Sequence, residues 1–140
     1  MMGRMRSRVA ASTALFVPAA AVLGTWLAWR DQLPGTVASH WSDLGPPDGT
    51  LPAPMLLAVS GGTALLAALV GAITGGVRRR LFWTGSLAGL FAGVWLVPAW
   101  LTLRAGTASG AVLGPWVLAV LACACFGLVP YLLAGRRELG

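Results

Sequence analysis

Charge is scarce in this sequence. Charged residues make up 10% of the 140, where a soluble domain carries about 25%, and so few charges cannot cover the surface of a solvated globule. Lysine is absent, and all ten bases are arginine. Histidine occurs once and cysteine twice, too few for a His/Cys metal cage or a disulfide framework. Cys123 and Cys125 are two residues apart, which on a helix places them about 200° from each other. They therefore read as small apolar packing residues, with no redox, nucleophile or metal pattern around them. No cofactor is implied.

What the chain has in place of charge is apolar length. The hydrophobic share is 57% and the mean hydropathy +0.79. Crossing a bilayer as a helix takes about 20 apolar residues, and four stretches qualify: 9–29, 55–77, 81–103 and 112–134. None holds an Asp, Glu, Lys, Arg or His. The expected fold is thus all-α, a single membrane domain over residues 1–140 built as a four-helix transmembrane bundle. Apolar character in the first stretch runs past Ala19-Ala20-Ala21 to Trp29, longer than a signal-peptide core of about 7–15 residues, so this stretch reads as a retained span. Coupled transporters and enzymes working at membrane depth need ionisable groups inside their spans. The lack of any points to a non-enzymatic protein.

Arginine placement predicts orientation. Arg4, Arg6 and Arg8 precede the first stretch, Arg78, Arg79 and Arg80 separate the second from the third, and Arg136 and Arg137 follow the fourth; only Arg30 and Arg104 fall on the other side. By the positive-inside rule both termini are cytoplasmic, in the plasma membrane. The net charge of +6 is thereby explained by helix ends that can touch anionic lipid, and nucleic acid is not an expected partner.

Small residues recur at helix-packing spacing: Gly71 and Gly75 on the second span, and Gly85, Gly89 and Gly93 on the third. Such faces let helices approach closely in lipid. They serve either packing within one bundle, the favoured reading, or a homodimer seam. Val17-Pro18, Val97-Pro98 and Val129-Pro130 place a proline inside three spans, each predicting a kink or local irregularity.

Chemical content is confined to the segment 30–54, the expected extracytoplasmic loop. It holds the only histidine, three of the four acids and five of the nine prolines. Pro34-Gly35 and Pro47-Asp48-Gly49 are turn signals. Val37, Trp41 and Leu44 fall at i, i+4, i+7, predicting a short interfacial helix, with His40 and Asp43 close on one face and Asp48 able to fold back. The loop is expected to be an ordered cap. Five of seven tryptophans, Trp26, Trp29, Trp41, Trp100 and Trp116, map near the same side, with Arg30, Arg104 and His40. Together they could form a site for a lipid head group or anionic peptide. His40, Asp43 and Asp48 as a metal site are weak, because no second histidine or cysteine is available there.

The order Leu33-Pro34, then His40-Trp41, then Gly45-Pro46-Pro47-Asp48-Gly49 resembles the loop of the family known as domain of unknown function 1648. The resemblance spans about a fifth of the chain. It implies a bacterial membrane domain of the kind that forms the N-terminal part of SdpI-type immunity proteins, which resist a toxic peptide and can hold a repressor at the membrane. His40, Gly45, Pro47, Asp48 and Gly49 fall on its motif residues, and these with Trp41, Arg30 and Arg104 are the candidate ligand- or partner-binding residues. After Gly49 the chain departs from that pattern, continuing Thr50-Leu51-Pro52-Ala53-Pro54. The expected role is regulatory, accessory or immunity-like. The alternative is a small subunit of a larger membrane transporter or membrane-enzyme complex, with a membrane-protein partner docked on the loop and glycine faces.

Overall fold

The computed structural model describes residues 2–74 and 77–135, with side chains from Met5 onward. Gly75, Arg136 and Arg137 lie outside the described residues, as does the side chain of Arg4. Helices α1 (Met2–Ala14) and α2 (Val17–Trp29) form the first long rod; strands β1 (Thr36–His40) and β2 (Gly49–Pro52) follow; α3 (Ala53–Ile73) and α4 (Arg78–Ala105) come next. A tight turn at Gly114–Trp116 leads into α5 (Val117–Ala124), and another at Cys125–Gly127 into α6 (Leu128–Leu133). The chain is mostly helical, and among the described residues four rods are long and apolar enough to cross a membrane: Met5–Trp29, Ala53–Ile73, Arg78–Ala105 and Gly114–Leu133.

Two prolines explain two breaks. A proline at position i has no N–H for the carbonyl of residue i−4. For Pro18 that carbonyl belongs to Ala14, where α1 ends; Leu15 and Phe16 bond instead to Ser12 and Thr13, three residues back. For Pro130 it belongs to Phe126, inside the tight turn Cys125–Gly127. At Pro98 the helix runs on unbroken.

The basic run Arg78-Arg79-Arg80, expected as a connection, forms the first turn of α4. Arginine favours helix, and extended Val77 starts it. Arg78 is then recruited to hold the fourth rod. Its guanidinium lies 4.0 Å from the Tyr131 ring centroid and donates from Nε and Nη2 to the Tyr131 carbonyl at 3.2 and 3.1 Å, supplying two donors to one carbonyl in the last turn of α6.

Helix α4 is the centre of the bundle. Just over half of its apolar window is buried, 56% against 11–33% for the other three. Its glycine face is occupied within the chain. A Cβ on Gly85 would stand 2.7 Å from Pro130 Cγ, one on Gly89 2.7 Å from Phe126 Cβ, and one on Gly93 3.0 Å from Cys123 Cβ. On α3, Gly71 is equally close to Leu15 and Thr84. The small-residue faces therefore pack the four rods against one another. Trp95 is fully buried; its Nε1–H donates to Thr25 Oγ1 at 3.0 Å, and its ring meets Trp26 edge-on at 5.9 Å.

The expected helix through Val37, Trp41 and Leu44 does not form, and the fold is not purely α. β1 pairs antiparallel with β2 in the register Thr36↔Pro52, Val37↔Leu51, Ala38↔Thr50, with a bulge before His40↔Gly49. Consecutive residues here are buried on opposite sides, a pattern open to a strand and not to a surface helix. Val37 enters the cluster of Val22, Leu56, Trp95 and Ala99, while Ala38 packs on Val97, Leu101 and Ala111.

Candidate functional site

At one end of the bundle the hairpin is bonded to its surroundings along its length. The Ala38 N–H donates to Thr102 Oγ1 of α4 at 3.1 Å, and both residues are fully buried. Trp41 Nε1–H donates to the Ala111 carbonyl at 2.9 Å. Beyond β1, the Leu44 and Gly45 carbonyls accept from the N–H groups of Gly114 and Leu113 at 2.8 and 3.2 Å. The Ala53 N–H closes the base on Gly35 at 3.0 Å. The segment is an ordered cap, resting on α4 and on the connection that follows it.

At the mouth of the hairpin, His40 and Asp48 are joined twice. The His40 ring Nδ1 lies 2.5 Å from Asp48 Oδ1, and the Asp48 N–H donates to the His40 carbonyl at 3.1 Å. The hydrogen bond from His40, with a second from Ser42, holds the Asp48 carboxyl below its ordinary value of 3.8. An ionised carboxylate only accepts, so Nδ1 carries the proton of this bond. That fixes the ring, and with 71% of the side chain exposed it leaves Nε2 facing outward. Gly49 sits opposite because a Cβ there would stand 2.9 Å from His40 Cβ. Asp43, expected beside His40 on a helix face, instead accepts from the Gly45 N–H at 2.7 Å, a local turn bond of the kind Asp favours. Pro47 is part of the same loop and half-buried.

The two arginines expected here stand apart from the clip. Arg30 Nε lies 3.9 Å from its neighbour Asp31, with both side chains largely in solvent, a pair worth little. Arg104 lies 5.3 Å over the Trp100 ring, which meets Trp116 at 4.6 Å. Among the described residues, no hydrogen bond or ion pair joins either arginine to His40 or Asp48. The expected shared pocket thus resolves into a His–Asp clip, a surface ion pair and an Arg–Trp–Trp stack. No group of three His, Cys, Asp or Glu able to hold a metal occurs among the described residues.

Sequence reasoning missed Thr102. A threonine in an apolar stretch ordinarily bonds back to its own helix, and the only available signal was its place, one turn before the end of α4, level with the loop that must cover it. The chain matches no protein-family model, no curated protein and no solved structure. The likeness of the loop motif therefore rests on the residues themselves. Several of those residues serve the hairpin locally, His40 and Asp48 as partners, Gly49 as clearance and Gly45 as the turn donor.

Proposed function

We propose that the protein is a non-enzymatic plasma-membrane protein of regulatory, accessory or immunity type, with both termini cytoplasmic and the hairpin as its receiving surface. One observation carries this reading. The only segment rich in chemistry is clipped at its mouth by His40 and Asp48 and bonded at its base to α4, the most buried helix of the bundle. A peptide, lipid head group or membrane-protein partner held at His40 Nε2 and exposed Leu44 would thereby act on the helix that touches every other rod. The loop resemblance supports a sensor-like or immunity-like role.

The test places a photo-crosslinking residue at Leu44, which is exposed, in whole cells. A discrete adduct that disappears in Asp48→Ala, while the protein stays folded in the membrane, supports the proposal. Absence of any adduct at Leu44 contradicts it. Gentle solubilisation and native mass spectrometry address the other class: a polytopic protein co-purifying in fixed stoichiometry, unaffected by His40→Ala, replaces the stand-alone regulator with a subunit of a larger complex.

A further inference from the structure

Away from the hairpin, an open groove of about 430 Å³ runs between the first rod and α3. Its walls include Phe16, Ala19 and Leu23 on one side and Leu57 and Leu65 on the other, over a floor with Gly61 and Gly62. The lining is almost entirely apolar. The groove begins where Pro18 breaks the rod, and at Gly62 nothing stands within 4 Å of where a Cβ would be. From Phe16 to Leu23 it covers about 10 Å of helix. That is a short seam for a helix of a second copy and a sufficient one for part of an acyl chain.

Charge decides which lipid. All three acids among the described residues, Asp31, Asp43 and Asp48, lie at the hairpin end, where Arg30 already has Asp31 beside it. The opposite end carries Arg6, Arg8, Arg79 and Arg80, all exposed. These converge: Ala11 and Leu15 of the first rod share a buried cluster with Leu81 of α4 and Ala68 of α3. Arg8 lies two turns before Leu15 on the same helix face, Leu15 stands against Gly71 of α3 and Gly85 of α4, and Arg80 adjoins Leu81. Phe16, at the start of the groove, is about 12 Å along the rod from Arg8, within the reach of a lipid tail whose phosphate sits at the arginines.

We infer that this groove and the arginine end together hold an anionic phospholipid, its acyl chain between the first rod and α3 and its head group on Arg8 and Arg80. The inference rests on the membrane reading above. The test incorporates the full chain into nanodiscs of equal phosphatidylglycerol and phosphatidylcholine, releases it with mild detergent and counts retained lipid by native mass spectrometry. Phosphatidylglycerol is expected to be retained in preference, reduced about fivefold by each of Arg8→Gln and Arg80→Gln, the equivalent of about 1 kcal/mol per arginine. Gly62→Leu, which fills open space, is expected to displace it, and Arg30→Gln to leave it unchanged. Equal retention of the two lipids, or wild-type retention in all of these variants, overturns the inference, as does a dimer that Gly62→Leu abolishes. A chain recovered in the soluble fraction overturns the membrane reading itself; a chain in the membrane without lipid preference overturns only this inference.

Discussion

Thr102 accepts the backbone N–H of Ala38 across 64 residues of sequence, at 3.1 Å, with both residues out of solvent. A strand edge that would otherwise leave a buried donor unmatched is satisfied by a side chain of the central helix. Thr102→Val keeps the shape and removes the acceptor. An unsatisfied buried donor costs about 1–3 kcal/mol, so the variant is expected to lower the unfolding midpoint in detergent and speed amide exchange at Ala38. Thr102→Ser is expected to restore both.

The His40–Asp48 clip has a defined pH dependence. Because the folded Asp48 carboxyl titrates below its ordinary value of 3.8, its contribution to holding the hairpin is fully present above that value and is lost as pH falls through the lowered folded value. Following the Asp48 carboxyl carbon by NMR in micelles should give a midpoint below 3.8 in the native chain. In His40→Ala the midpoint should move up, since the largest cause of the shift is gone. An unmoved midpoint would show that the clip does not hold the carboxylate.

Glycine positions differ sharply in what a methyl would meet. At Gly89 a Cβ runs into the Cys123 carbonyl and Phe126, whereas at Gly62 it meets open space. Gly89→Ala is expected to destabilise the bundle by about 1–3 kcal/mol through overpacking, read as a lower unfolding temperature. Gly62→Ala is expected to be neutral or slightly stabilising, because helix propensity favours Ala by about 1 kcal/mol.

Arg78 joins α4 to the end of the fourth rod through the Tyr131 carbonyl and ring. A lysine keeps the charge but not the planar fork. Arg78→Lys should therefore loosen residues 131–134, seen as faster amide exchange there, with the hairpin unaffected. Equal exchange in the two proteins would show that charge alone suffices.

The helical part of the fold was legible because length and apolar content determine it: the four stretches recur as rods with ends shifted by a few residues. Pro18 and Pro130 were legible as irregularities, since a missing donor acts locally. The hairpin was not. Val37, Trp41 and Leu44 have helical spacing, but the competing information lay in Thr50-Leu51, the partner strand, and in Thr102, a tertiary acceptor far along the chain. Of the site, Asp48 folding back toward His40 could be anticipated from the turn at Pro47-Asp48-Gly49. The separation of Arg30 and Arg104 from it could not, because a shared end of the bundle does not specify a shared pocket.

A receiving surface at the hairpin requires above all that the hairpin face the outside of the membrane. In a Cys123→Ala/Cys125→Ala background, a membrane-impermeant maleimide is applied to intact cells carrying Ser42→Cys in the hairpin loop or Arg79→Cys at the arginine end. The predicted result is labelling of Ser42→Cys in intact cells and of Arg79→Cys only after the membrane is opened. Labelling of Arg79→Cys in intact cells with Ser42→Cys protected would contradict it.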